Sequence, residues 1–447
     1  MRFIKHYINW FKKLLPSPFS IAVLITIIVF FMGLISSDKS MVELIIDWQK
    51  GLWSSNLLAF AFQMMLMLVL GHALALTSFF DSIINQIILR LKTGTQAAFA
   101  VTLSTIIVAL FNWGLGLIFG AIIARKVGEN FSKRKLKLNY PLIGASGYVG
   151  LMVWHGGISG SALTKVAEAG HIQEITQNPI MPELISFGET VFSPMNFTAV
   201  ILLIIVIPTF SSIISKYTTK ETPNVTKLEQ THKNQFEVSS AEYIDYSKWL
   251  SKIIGMILMA IAIYIAIISE SKLGFINPNY INFSLLGLNI LLHKNIRYFL
   301  SGVDKAIHGS SGILIQFPLY FGILALMQTS GLIENISDFF IDISTKKTLP
   351  IYTFFSAGLV NMFVPSGGGQ WALQGPIILR AALELDMSLS KIILALAYGD
   401  QITNMLQPFW ALPLLSITGL KARDILPYTL MLMLAGIFIF LVVLMLF

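Results

Sequence analysis

Four short stretches put polar side chains next to residues that cannot hold a helix, each inside an otherwise apolar run. The first is His155-Gly156-Gly157-Ile158-Ser159-Gly160-Ser161, with three glycines and two serines among its last six residues. Where a helix opens here, freed N–H groups and the positive end of its dipole attract an anion, so a carboxylate could be held without a buried arginine. A competing reading is helix packing, because Gly156 and Gly160 form a small-xxx-small pair. The second stretch is Val364-Pro365-Ser366-Gly367-Gly368-Gly369-Gln370-Trp371. Pro365 and three consecutive glycines stop a helix, while Ser366 and Gln370 bring polar groups that lipid would penalise, so it reads as a hairpin tip. Asn112-Trp113-Gly114, followed by Gly116, is its weaker counterpart.

The fourth stretch, Gly399 to Pro408, holds Asp400, Gln401, Thr403, Asn404 and Gln407. An intramembrane carboxylate is expensive, which points to Asp400 as a proton carrier or cation ligand, with Thr403, Asn404 and Asn361 beside it. The alternative is a structural carboxylate bonded to the facing hairpin. His155 could titrate near neutral pH, but is expected chiefly to contact substrate; His72 and His308 read as packing residues. Substrate-binding candidates are thus Asn112, Trp113, Gly114, His155, Gly156, Gly157, Ser159, Gly160, Ser161, Ser366, Gly367, Gly368, Gly369, Gln370, Asn404 and Gln407. An acyl tail would meet Trp113, Trp154, Trp371 or Phe409.

Spacing links the four stretches. Asn112 precedes His155 by 43 residues, and Asn361 precedes Asn404 by 43. Backbone that leaves helix at membrane depth must line protein or water, and paired breaks in two halves are the mark of a secondary transporter with its site near the bilayer midplane.

The elements that must position these residues are membrane helices. The 447 residues are 55% hydrophobic and 12% charged, where a soluble domain carries about 25% charged residues. Mean hydropathy is +0.74. Apolar runs of about 20 residues predict spans at 18–35, 52–77, 196–214, 250–268, 276–292, 311–328 and 427–447. Re-entrant hairpins are expected at 97–124 and 349–379, and broken helices at 141–163 and 389–417. The segments 80–91 and 332–343 look like interfacial helices, which could carry a moving unit or merely cover a loop. The fold class is an all-α polytopic membrane protein with two inverted-topology repeats, 1–215 and 269–447. A polar cytoplasmic linker (216–249) and a linking span (250–268) separate them.

Loop charge gives the orientation. With the N-terminus inside, Arg90, Lys92, Arg125, Lys126, Lys133, Arg134, Lys135 and Lys137 fall on the cytoplasmic side, as do His293, Lys294, Arg297, Lys421 and Arg423. The acidic loop with Glu168, Glu174, Glu183 and Glu189 falls outside; Lys346 and Lys347 also land outside, against the rule. The basic start, with Arg2, Lys5, Lys12 and Lys13, leads into a retained first helix, because Ser36-Ser37-Asp38-Lys39 makes a poor cleavage site. A bacterial inner membrane is the expected location, with membrane lipid as the surroundings. The net charge of +8 lies at the ends of apolar runs, so nucleic acid is not an expected partner. The chain has no cysteine, which excludes disulfides and thiolate metal sites. An enzyme is not expected: there is no G-x-S-x-G elbow and no H-E-x-x-H pair. An anion channel remains a rival, although rings of charge or filter-like carbonyl repeats are absent.

The chain resembles the short-chain fatty acid transporter family, the AtoE-type permeases of the ion transporter superfamily. The likeness lies in Trp154-His155-Gly156-Gly157 with Ser159-Gly160-Ser161, in Val364 to Trp371, and in Thr403-Asn404 with Gln407-Pro408-Phe409-Trp410-Ala411-Leu412-Pro413. It implies uptake of C4 monocarboxylates such as butyrate or acetoacetate by cation symport without a cofactor, and often a homodimer with elevator motion. Larger carboxylates, dicarboxylates or aminoacyl conjugates, are the alternative substrates. The superfamily's Ser-Asn-Thr hairpin signature is missing, which weakens the case for Na⁺ at the hairpin tips and leaves H⁺ open as the coupling ion.

Overall fold

A computed structural model describes residues 16–219, 221–225, 243–269, 277–307, 310–364 and 366–447. His308, Pro365, the first basic residues and most of the 216–249 linker lie outside the described residues. All regular structure among the described residues is helical, and seven of those helices are long and apolar enough to cross a membrane.

Helix α1 (Pro18–Ser36) starts at a Ser17 cap and is followed by α2 (Met41–Leu52), which opens with a Ser40–Glu43 capping box, and by α3 (Ser55–Ala75). The expected 52–77 span therefore begins three residues later, because the chain breaks at Trp53-Ser54. Helix α4 (Ser78–Leu89) leads to α5 (Gly94–Phe111) and α6 (Trp113–Lys133). Only Asn112 separates α5 from α6, and the two arms, 18 and 21 residues long, exceed the 97–124 expectation. Helix α7 (Tyr140–Tyr148) gives way to 3₁₀ turns at Val149–Met152 and Trp154–Gly156; regular helix resumes at α8 (Ser161–Val166). A loop with α9 (His171–Thr176) leads to α10 (Pro194–Thr218) and, beyond the linker, α11 (Lys248–Ile268) and α12 (Pro278–Leu292). Arg297, read from sequence as loop, lies in the amphipathic α13 (Ile296–Ile307).

Helices α14 (Ser311–Thr329) and α15 (Leu332–Asp342) precede a second helix pair, α16 (Leu349–Asn361) and α17 (Gly367–Glu384). Helix α18 (Leu389–Thr403) ends in a 3₁₀ turn at Asn404–Leu406, and α19 (Pro408–Thr418) and α20 (Ala422–Leu446) complete the chain. Helix α14 packs on α1, α2 and α3, while α12 joins α3 to α11. The other group centres on α6, against α5, α7 and α19, and on α18, against α16, α17 and the turn at Trp154–Gly156.

Two crossings in that group have no room for a side chain. A Cβ on Gly120 would stand 1.9 Å from the Gly147 carbonyl oxygen, and one on Gly399 would stand 2.1 Å from that of Phe354. Backbone therefore touches backbone where α6 crosses α7 and where α18 crosses α16, the small-residue logic of membrane interfaces. Gly120→Val is expected to force α6 from α7 at a cost of about 1–3 kcal/mol, read as a lower melting temperature in detergent. Gly188→Ala, whose methyl would meet only Ser186 Oγ at 3.5 Å, should melt like the parent protein.

Candidate functional site

The two interrupted helices meet, and each supplies the hydrogen bonds the other lacks. At the first break the N–H groups of His155 and Gly156 both donate to Gln401 Oε1, at 2.8 and 3.0 Å. At the second, the Tyr148 hydroxyl shares its proton between the carbonyls of Asn404 and Gln407, at 3.0 and 2.9 Å. Asn196 on α10 donates to the Gly156 carbonyl at 2.8 Å and accepts from the Tyr398 hydroxyl at 2.9 Å. Non-helical backbone is tolerated at this depth only with such partners.

The hairpin ends lock onto the same breaks. Asn112 caps α6 by accepting from Leu115 N–H at 3.0 Å; the next N–H, of Trp113, donates to Ser159 Oγ at 3.1 Å. Ile158 N–H donates to the Leu110 carbonyl, which a Cβ on Gly157 would approach to 2.4 Å. In the other half, Asn361 spreads its amide hydrogens over the Asp400 carbonyl, Thr403 Oγ1 and Asn404 Oδ1, at 2.6 to 2.9 Å. Gln407 returns a bond to the Asn361 carbonyl. The Asn361–Asn404 pair singled out by spacing is thus in direct contact.

His155 and Asp400 form the most buried polar pair of the site, at 0 and 1% exposure. His155 Nδ1 is hydrogen-bonded to Asp400 Oδ2, and Nε2 accepts from Ala162 N–H at 2.9 Å. Both ring nitrogens are engaged, so the imidazole offers no free atom to a substrate. The Asp400 carboxylate turns toward His155, whereas Thr403 and Asn404 are gathered by Asn361. The predicted ion-coupling residues therefore divide into two adjoining groups.

What stays open lies between the first break and the second hairpin. Ser159, Ser161 and Ser366 are partly exposed and Gly368 is exposed. A Cβ on Gly368 would sit 3.9 Å from that of Ser161. Ser366 caps α17 through Gly369 N–H at 3.2 Å. Gly367 lies over the buried pair: a Cβ there would meet the Trp154 ring at 2.7 Å and Asp400 Oδ2 at 3.1 Å. Trp154 Nε1, Asp400 Oδ1, Gln370 Oε1 and Gln407 Oε1 are buried without a hydrogen-bond partner. Gln370 points its amide into the helix pair, donating to the Ala357 carbonyl and to Gln374 Oε1, both at 2.8 Å.

An aromatic wall closes one side. Trp154 stacks on His155 at 4.5 Å, Trp113 lies 6.0 Å from Trp154 and 5.4 Å from Trp410, and Phe60 touches both Trp113 and Trp410. Trp371 is elsewhere, donating to His171 Nε2 at 3.0 Å. Burial, then Lys165, holds that loop imidazole below its usual titration range. Trp410, Phe60, Tyr148, Asn196 and Gln401 were not among the residues singled out for the site. Gln401 carried a sequence signal as the polar neighbour of Asp400, and Trp410 as part of the Gln407 to Pro413 string; Phe60, Tyr148 and Asn196 carried none. His72 is buried with neither ring nitrogen bonded. Among the described residues no cluster of three His, Cys, Asp or Glu side chains could hold a metal.

The family model described as "Short chain fatty acid transporter" matches residues 1–447. The chain belongs to the short-chain fatty acid transporter family. It is similar to two proteins that each carry the name "Putative short-chain fatty acid transporter". The Escherichia coli one is 36% identical over 96% of this chain and 94% of its own length, and the Haemophilus influenzae one 35% identical over the same shares. Among solved structures it is similar to the Alcanivorax borkumensis YdaH transporter (14% identity, 96% of this chain and 98% of that one, TM-score 0.43). It is also similar to Neisseria gonorrhoeae MtrF (15% identity, 98% and 97%, TM-score 0.40). In this chain the stretches Trp154 to Ser161 and Asn404 to Pro413 fall at the two breaks and their aromatic wall. Gln401→Leu strips the acceptor from two buried N–H groups, each worth about 1–3 kcal/mol when orphaned. The variant should melt well below Gln401→Glu, which keeps an acceptor, when both are compared by thermal unfolding in detergent.

Proposed function

We propose that this protein imports short-chain monocarboxylates, C4 acids such as butyrate or acetoacetate, by symport with a cation. The observation that carries the reading is the open polar cleft between Ser159, Ser161 and the Ser366–Gly369 turn, set against the Trp113–Trp154–Trp410 wall. The carboxylate is held at the start of α17, where free N–H groups, the helix dipole, the Ser161 hydroxyl and Trp154 Nε1 favour an anion. The acyl tail lies on the wall, whose aromatic rings offer nothing to a second carboxylate. No enzymatic role is assigned.

We read residues 1–215 and 269–447 as inverted repeats joined by the linker and α11. In support, each half runs through a short surface helix (α4, α15), a helix pair (α5–α6, α16–α17) and an interrupted helix in the same order. The multi-pass protein would lie in a bacterial inner membrane with its N-terminus in the cytoplasm, as a homodimer.

In proteoliposomes, labelled butyrate uptake above protein-free vesicles should saturate and be blocked by acetoacetate but not by succinate. Ser161→Val and Ser366→Val should each raise the half-saturating concentration about tenfold or more, the worth of a hydrogen bond to a charged group. Equal competition by succinate would replace the monocarboxylate reading with the dicarboxylate one. Because the chain has no cysteine, Lys133→Cys and Lys346→Cys can be labelled singly. An impermeant maleimide should reach Lys133→Cys only from the cytoplasm and Lys346→Cys only from outside; labelling from one side would refute the inverted repeats.

A further inference from the structure

We propose that the coupling ion is a proton and that the His155–Asp400 pair is where it binds, an assignment that rests on the carboxylate-symport reading above. The hydrogen bonds fix the pair's protonation. An imidazolium carries N–H on both nitrogens and accepts from neither. Because His155 Nε2 accepts from Ala162 N–H, the ring is neutral and its one proton lies on Nδ1, facing Asp400 Oδ2. The pair thus holds one proton and a net charge of −1, with Asp400 Oδ1 buried and unpartnered.

Among the described residues no neighbouring cation balances that charge. Among the described residues Asp400 forms an ion pair with His155 alone. Helix α18 is packed against α16, α17, α8, α20 and the turn before α8. Lys165 on α8 pairs with Glu168 at 2.9 Å. The Tyr148 and Tyr398 hydroxyls donate to the second break and to Asn196, and Tyr352 on α16 lies nine residues before Asn361. Lys391 lies nine residues back along α18, and Arg380 with Glu384 lies 13 or more residues beyond Gly367. Arg423 and Asp424 on α20 precede Gly436, the residue that meets Ile402 at this depth, by 13 and 12. At 1.5 Å per helical residue these groups stand about 13–26 Å away along their helices.

A bare negative pair of this kind takes up a cation, and the surroundings choose a proton. A metal cation needs several converging oxygens. The oxygens that do converge beside Asp400, its own carbonyl with Thr403 Oγ1 and Asn404 Oδ1, are filled by the Asn361 amide. A proton needs only the pair.

The pair also adjoins the substrate cleft, since the Cβ position of Gly367 is 3.1 Å from Asp400 Oδ2. A carboxylate held at Ser366–Gly368 sets a second negative charge beside the first, which favours uptake of one proton by the pair. By linkage, that proton strengthens carboxylate binding by the same factor, on the order of tenfold or more for adjacent charges in a poorly screened site. If the proton enters at Nε2, it displaces Ala162 N–H and loosens the turn that carries Ser161. The proton and the carboxylate then leave together on the far side.

The test is calorimetry of butyrate binding to the purified full-length protein, in buffers of differing ionisation enthalpy and at pH 6, 7 and 8. Butyrate binding should be accompanied by proton uptake, up to one per butyrate, and affinity should tighten about tenfold or more from pH 8 to pH 6, with no change on replacing Na⁺ by choline. In Asp400→Asn the proton uptake and the pH dependence should both vanish. Uptake of no proton, affinity that requires Na⁺, or a pH dependence that persists in Asp400→Asn overturns the assignment, the last because the proton then travels on the acid itself. If Asp400→Asn fails to fold, Asp400→Ser, which also removes the carboxylate, takes its place. Absence of any butyrate binding or saturable exchange would instead refute the carboxylate reading, and this proposal with it.

Discussion

Opening a helix inside a bilayer exposes backbone groups that lipid cannot satisfy, and each group left unpartnered costs several kcal/mol. This protein opens two helices at the same depth and lets each satisfy the other. Gln401 receives the N–H groups freed at the first break, and Tyr148 caps the carbonyls freed at the second. Neither break could exist alone in this form, because Gln401 and Tyr148 each come from the opposite half of the chain from the break they serve. The glycine crossings at Gly120 and Gly399 follow from the same need, since they bring α7 and α18 deep enough for the breaks to meet.

Reciprocal capping also sorts the polar residues by role. Asn112, Asn196, Asn361, Asn404 and Gln407 are rich in hydrogen-bonding capacity, yet nearly all of it is spent on backbone around the breaks. Their amides keep the cradle in shape. The groups of the site left with free capacity are fewer: Trp154 Nε1, Asp400 Oδ1, Gln370 Oε1, Gln407 Oε1, and the partly exposed serines at 159, 161 and 366. A buried group without a partner costs stability, so a chain that satisfies so many neighbours and leaves these open marks where a ligand's own polar atoms would complete the set.

Much of this was legible in the sequence because helix breaking is a local property. Glycine runs, Pro408 and polar residues inside apolar stretches placed both interruptions, and equal spacing paired the two halves. What spacing could not supply was the partner across the interface. His155 read as a substrate contact because a lone histidine beside glycines has no visible mate; Asp400, 245 residues later, meets it only through the crossing of the halves. Tyr148 and Asn196 were overlooked for the same reason. Trp371 misled because the tip sequence is shared with the site, while the pitch of α17 carries its indole round to His171.

The crossing bonds also constrain how such a site can change the side it faces. Pulling the two breaks apart would orphan the His155 and Gly156 N–H groups, the Asn404 and Gln407 carbonyls and the Asp400 carboxylate at once. By contrast, the contact of this cradle with α3 and α14 is apolar, with Phe60 against the Trp113 and Trp410 rings and Met67 and Ile118 packed at Gly114 and Gly71. Dispersion contacts of that kind can be exchanged for others at little net cost, whereas buried hydrogen bonds cannot. A movement that keeps both breaks together and shifts them as one body past the apolar seam therefore costs less than one that opens the cradle between its halves.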